Sequence, residues 1–267
     1  GAAKEVSVGV VHQGESFGTG NRWRRQVMRA VADGHARIRA HRMATVKRAD
    51  ILPEPAAASA YDAGCRRCGR LVAFLDQVRL ASPSYFCRPV PPFGARDAAL
   101  VIVGLAPGRH GANASGRPFT GDHAGILLYA TLHAYGFASQ PVGAARDDGL
   151  ALIDCRITNA VKCLPPDNKP VPAEIRACND YLAADLATLP DGGAILALGR
   201  IAHEATLRAL GLKPSAHAFG HGARHPLARE GAPFDSYHCS RYNTNTGVLT
   251  TAMFEDVVGR AAASVGQ

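Results

Sequence analysis

The 267-residue chain reads as an α/β protein, a mainly parallel sheet covered by helices. Two observations predict it. Short apolar runs closed by glycine or a polar loop recur about four times, each followed by helical periodicity. The loops after the runs, 105–123, 162–171 and 239–247, are long and polar, as expected where ligands gather beyond strand carboxyl ends.

The elements follow in order. Residues 52–60, LPEPAAASA, read as a linker. Residues 64–80 place Leu71, Phe74, Leu75 and Val78 at helical spacing, and the proline-rich 82–94 reads as irregular extended chain. Residues 99–104, ALVIVG, form a buried strand that opens into the loop LAPGRHGANASGRPFTGDHAG, with a helix over 124–135. Residues 155–161 form a second strand. Pro172 then opens a helix to about Leu189, at a position that tolerates proline. Residues 194–198, AILAL, are a third strand and 201–210 its helix. A fourth short strand is expected at 236–238 and a last helix over 251–264.

At 47% hydrophobic and 19% charged, the chain has matter for a real core. No stretch approaches the roughly 18 apolar residues of a membrane span, and the opening residues lack the pattern of a secretory signal. A cytoplasmic, monomeric protein with mostly reduced or metal-bound cysteines is therefore expected, without membrane contact. The net charge of +8 is unevenly placed: residues 1–48 hold ten Lys/Arg against three acids, and the remainder twenty against nineteen. Residues 1–50 read as a basic N-terminal extension with weak periodicity and little to bury, flexible or an upstream leader before Met43; the other reading is an arm that feels phosphates. Residues 51–267 read as one catalytic domain.

Of seven cysteines, Cys65 and Cys68 form a C-x2-C pair and Cys163 and Cys178 a C-x14-C pair about 95 residues later. Four thiolates from two such pairs suit either a zinc ion or an iron–sulfur cluster, and spacing leaves both open. Cys87, Cys155 and Cys239 have no obvious partner, and Cys155 falls in a strand.

GLAPGRHGAN (104–113), GRPFTGD (116–122), TNAVKCLPP (158–166) and HCSRYNTNTG (238–247) occur in that order on the predicted loops. Together with the four cysteines they resemble the uracil-DNA glycosylase superfamily, specifically its family 5, the type B iron–sulfur branch, over about residues 62–260. The resemblance implies a three-layer α/β/α sandwich around a four-stranded sheet and a [4Fe–4S] cluster on Cys65, Cys68, Cys163 and Cys178. It also implies association with the nucleoid and excision of deaminated bases from single- and double-stranded DNA: uracil, and hypoxanthine or xanthine besides.

Such chemistry requires a base swung out of the stack, and a pocket that bears the charge it leaves with. Phe119 taken alone reads as core; within GRPFTGD the resemblance makes it the stacking platform, and Asn159 reads the base edge. His238 donates to the base carbonyl as charge builds. Cys239 stands where the family places proline, which predicts a less rigid loop. Ser240 is a phosphate contact, and Arg241 and Asn243 press into the DNA. In the first motif Gly104, Ala106 and Gly108 lie along the base, without the carboxylate that other branches use. Asn113 is the first choice for orienting water and Asp122 the second. A zinc hydrolase is disfavoured, since H-E-x-x-H is absent, and Gly104, Gly108 and Gly111 do not fit a dinucleotide fingerprint. A non-catalytic nucleic-acid-binding relative is the remaining alternative.

Overall fold

A computed structural model describes residues 61–226 and 232–265. The basic extension and the 52–60 linker lie outside them, so those readings stand as expectations.

The described strands are β1 (Phe93–Gly94), β2 (Leu100–Gly104), β3 (Cys155–Asn159), β4 (Ala194–Leu198) and β5 (Ala232–Ser236), in the sheet order β1-β3-β2-β4-β5. All pairings are parallel except β1 on β3. The parallel strands are buried along their whole length, which is why they read as apolar runs rather than alternating ones.

The helices are α1 (Gly69–Ala81), α2 (Ala112–Ser115), α3 (His123–Ala134), α4 (Pro172–Leu186), α5 (Arg200–Ala209), α6 (Arg241–Asn245) and α7 (Thr251–Ser264). One face of the sheet (Leu100, Ile102, Leu196, Phe234) packs on Leu128 and Leu132 of α3 and Phe254 and Val257 of α7. The other (Val101, Val103, Ile195) packs on Leu182 and Leu186 of α4 and Ala202 and Ala205 of α5. This is the expected α/β/α sandwich, with α1 in a satellite cluster beside the cysteines.

Three expectations are corrected. The sheet has five strands, because Phe93 and Gly94, in the stretch read as irregular, pair with Ile157 and Arg156. The last strand is Ala232–Ser236, not 236–238: Pro233 and Asp235 hide its pattern, and His238 lies beyond its end. The first helix begins at Gly69, so Cys65 and Cys68 precede it rather than lie within it.

Strand β2 leads to α3 on one face, while its neighbours β3 and β4 lead to α4 and α5 on the other. The carboxyl end of β2 is thus a topological switch point, where open α/β sheets form their crevice. Buried polar groups fix β3 there. Asp185 of α4 accepts from Lys162 (2.9 Å), Arg156 (3.0 Å) and Thr158 (2.8 Å). Burial alone would raise its carboxyl pKa, but Lys162 and Arg156 outweigh that and hold it below the usual range. No helix among the described residues is long and apolar enough to cross a membrane.

Candidate active site

The last register pair of β2 and β3 sets Gly104 beside Asn159. A Cβ at Gly104 would lie 2.4 Å from Asn159 Oδ1 and 2.8 Å from Phe119 Cζ, so glycine is the residue that lets amide and ring meet there. Asn159 is 3% exposed, and its Oδ1 is a buried acceptor without a partner in the protein. An unpaired buried amide oxygen costs about 1–3 kcal/mol, which a ligand's N–H would recover.

Phe119 is buried, at 6% exposure, and belongs to the core cluster on the α3 and α7 face, the reading its residue type alone supports. Its backbone, at φ 53°, lies in the left-handed region and turns the ring inward over Gly104. The loop around it is over-determined. Arg117 donates to both carboxylate oxygens of Asp148 (2.9 and 2.8 Å) and to Thr120 Oγ1 (2.7 Å), while Tyr129 donates to Pro118 O (2.6 Å). A Cβ on Gly125 would overlap the Phe119 carbonyl at 1.9 Å, so the first turn of α3 also fits only around this loop.

The His238 ring stacks on Phe119, with centroids 6.0 Å apart and planes at 27°. Burial pushes its pKa down to about 4, so the imidazole is neutral at physiological pH and offers one N–H. Asn243 Nδ2 donates to His238 O (2.8 Å), and Ser240 caps α6 by accepting from Asn243 N (3.3 Å). These bonds brace the loop where Cys239 replaces proline; Cys239 is fully buried, its thiol pushed up to about 12 by that burial and by nearby Asp122. Arg241 is exposed beside it. Tyr242, 73% exposed, was not singled out from the sequence; an aromatic inside SRYN is the signal that marks it.

The two candidates for placing water differ. Asn113, fully buried on α2, gives Nδ2 to Cys87 Sγ (3.5 Å), and its Oδ1 has no protein partner. Its backbone N–H donates to Gly108 O (3.0 Å). Asp122 Oδ1 already accepts from Gly125 N (2.8 Å) as the cap of α3, and burial raises its carboxyl above the usual range. Ala106 turns to the opposite side and packs against the cysteine cluster.

Cys65, Cys68, Cys163 and Cys178 line one cavity between α1, α4 and the β3 loop. Burial pushes the Cys163 thiol up to about 12, with the other three sulfurs adding repulsion. Lys162 N–H donates to Cys178 Sγ (3.3 Å), the kind of bond that tunes sulfur ligands. Among the described residues, no three of these sulfurs lie within 4.8 Å of one another. Four thiols around one cavity are a donor set for either a zinc ion or an iron–sulfur cluster.

A switch-point crevice that sets an aromatic ring, an orphan amide oxygen and a neutral imidazole together defines a protein that receives a flat, hydrogen-bonding heterocycle. The chain belongs to the uracil DNA glycosylase superfamily, whose family model matches residues 91–261. It is 46% identical over 207 residues to the type-5 uracil-DNA glycosylase of Thermus thermophilus, covering 76% of this chain and 94% of that protein. The type-5 uracil-DNA glycosylase of Pyrobaculum aerophilum is 40% identical over 206 residues, 76% of this chain and 89% of its own. Similarity to the type-4 uracil-DNA glycosylase of Archaeoglobus fulgidus is narrower: 38% over 114 residues, 42% of this chain and 49% of that one.

Proposed function

We propose that this protein excises uracil from single- and double-stranded DNA by hydrolysing the N-glycosidic bond, the first step of base excision repair. The observation that carries this reading is the unpaired buried acceptor of Asn159 next to the Phe119 ring, both so close to residue 104 that only glycine fits there.

The target nucleotide leaves the stack at a cost of a few kcal/mol, less when mispaired. Its base lies against Phe119, and Asn159 Oδ1 accepts from the ring N–H of uracil. As the glycosidic bond breaks, the sugar gains oxocarbenium character and the base becomes anionic. A neutral His238 donates to the base carbonyl as that charge grows, without requiring a proton from bulk solvent. Asn113 orients water through its free Oδ1; an amide is no base, so the cation, rather than deprotonation, draws the water in. Arg241 and Tyr242 of α6 face the DNA, and Ser240 and Asn243 hold the His238 loop to them.

Cys65, Cys68, Cys163 and Cys178 would hold a [4Fe–4S] cluster, which supplies a rigid brace between α1, α4 and the end of β3. Support comes from the one cavity that the four cysteines line and the Lys162 N–H on Cys178. Acceptance of hypoxanthine and xanthine belongs to the same proposal, supported by the lack of a carboxylate in GLAPG, where a larger base would approach the backbone.

Incubation with a uracil-containing duplex followed by alkali tests the reading, with inosine and xanthosine duplexes beside it. Scission at uracil is expected. No scission on any of the three substrates would make the chain a non-catalytic DNA-binding relative, and scission at uracil alone would remove the purine bases.

A further inference from the structure

A second set of chemically capable side chains lies on the α5 face of the sheet, apart from the crevice. Asp235, in the middle of β5, is fully buried. Its Oδ1 lies 2.8 Å from His203 Nδ1 of α5, and its Oδ2 lies 2.8 Å from His225 Nε2. Both histidine side chains are buried, at 3% and 8% exposure. The three ligand atoms all fall within 4.8 Å of one another.

Proton counting separates this cluster from an ordinary hydrogen-bonded trio. His203 Nε2 lies 3.0 Å from the carbonyl of His217, and a carbonyl only accepts, so Nε2 bears the hydrogen. A neutral ring then has a bare lone pair at Nδ1, facing a carboxylate that also only accepts. Two acceptors at 2.8 Å need something between them: a proton, carried by the ring or by the carboxyl, or a metal cation.

The surroundings favour the cation. A metal-bound histidine characteristically gives its other N–H to a backbone carbonyl, which fixes the tautomer, as His203 does. Tetrahedral zinc, with bonds of about 2.0–2.1 Å, sets its ligand atoms roughly 3.3 Å apart, so 2.8 Å contacts need to open by only about half an ångström. Two imidazoles and one carboxylate are a donor set for zinc-class ions rather than magnesium or calcium. A third imidazole, His217, stands edge-on to His225 at 5.6 Å and is half-exposed.

We infer that His203, His225 and Asp235 form a binding site for one zinc-class divalent ion, separate from the cysteine centre. The ion ties α5, the 217–225 segment and β5 together, three residues ahead of His238.

Cobalt(II) chloride titrated into the protein purified without oxygen tests this, with His225→Gln and the isosteric Asp235→Asn alongside. The wild type should take up one equivalent with the visible bands of tetrahedral cobalt and no thiolate charge-transfer band. Zinc chloride should displace the cobalt and raise the melting temperature. Both variants should bind at least ~10-fold more weakly while iron content is unchanged. A thiolate band, no visible band in the wild type, or equal affinity in Asp235→Asn would each overturn the site. Because the wild-type spectrum separates nitrogen and oxygen ligands from sulfur, the test survives a variant that fails to fold.

Discussion

Asn159 and Gly104 face each other at the end of a parallel ladder, and the missing side chain of one makes room for the carboxamide of the other. Their register is fixed by four further pairs from Leu100↔Cys155 onward, so neither can slip along its strand. A base reader built on two central strands is held more firmly than one on a loop, which is where catalytic geometry benefits most.

Gly104→Ala tests that relationship. The added methyl would stand 2.4 Å from Asn159 Oδ1 and 2.8 Å from Phe119 Cζ, and it is small enough for the strand to keep its φ and ψ. Uracil excision under single-turnover conditions should fall ~10²-fold or more, since a misplacement of about 1 Å costs that much. An unchanged far-ultraviolet circular dichroism spectrum shows that the sheet survives. A rate near wild type would mean that the base does not lie between these groups.

His238 makes a prediction about pH. Its folded pKa is lowered to about 4 by burial, from about 6.5 for an ordinary histidine. The donor form is the neutral ring, so single-turnover excision should stay level as pH falls through 6.5 and drop only on approach to about 4. Stability moves the same way: the unfolded chain takes up a proton at His238 between those two values and the folded one does not, so this contribution is present above about 6.5 and is lost as pH falls toward 4. A rate that halves near pH 6.5 in the wild type, but not in His238→Asn, would show an ordinary imidazole in contact with water.

Much of this was legible because the residues concerned sit in short contiguous motifs on loops. TNAV and HCSRYN mark Asn159 and His238 as contiguous motifs, and the runs ALVIVG and AILAL mark strands buried on both faces. Three things were not legible. The backbone of Phe119 is one, since nothing local says that its φ is positive. Strand β5 is obscured by Pro233 and Asp235, whose buried carboxylate meets His203, His225 and the Gly220 N–H. Those two histidines come from separate segments with no common spacing, so only the fold unites them.

The cysteine centre gives a prediction about metal content. Protein purified without oxygen should be brown, with broad absorption near ~400 nm and about four irons per chain. Cys163→Ser should lose most of the iron, because Cys163 is a central member of the buried set, repelled by all three other sulfurs when no metal is bound. Loss of the brace should lower the melting temperature and leave excision, in whatever fraction stays folded, within about tenfold of wild type, since the cavity that the cysteines line includes none of Gly104, Phe119, Asn159 and His238. Stoichiometric zinc, without iron or sulfide, would contradict the cluster.

Asn113 and Asp122 share one loop, and their hydrogen bonds assign them different work. The Asp122 carboxylate caps α3 through Gly125 N–H, and losing such a cap costs about 1 kcal/mol. Asp122→Ala should therefore lower stability by roughly that amount in urea unfolding, with the excision rate reduced only a few-fold. Asn113 has its Nδ2 committed to Cys87 and its Oδ1 committed to nothing in the protein. Asn113→Ala should cost ~10²-fold or more in the single-turnover rate, because placing the nucleophile contributes on that scale. Asn113→Asp separates orientation from charge: an acceptor oxygen is retained and a base gained, so its rate should recover at least part of the loss above the new carboxylate's pKa. If instead Asp122→Ala shows the large loss and Asn113→Ala the small one, water is held at the helix cap, and the roles of the two residues are exchanged.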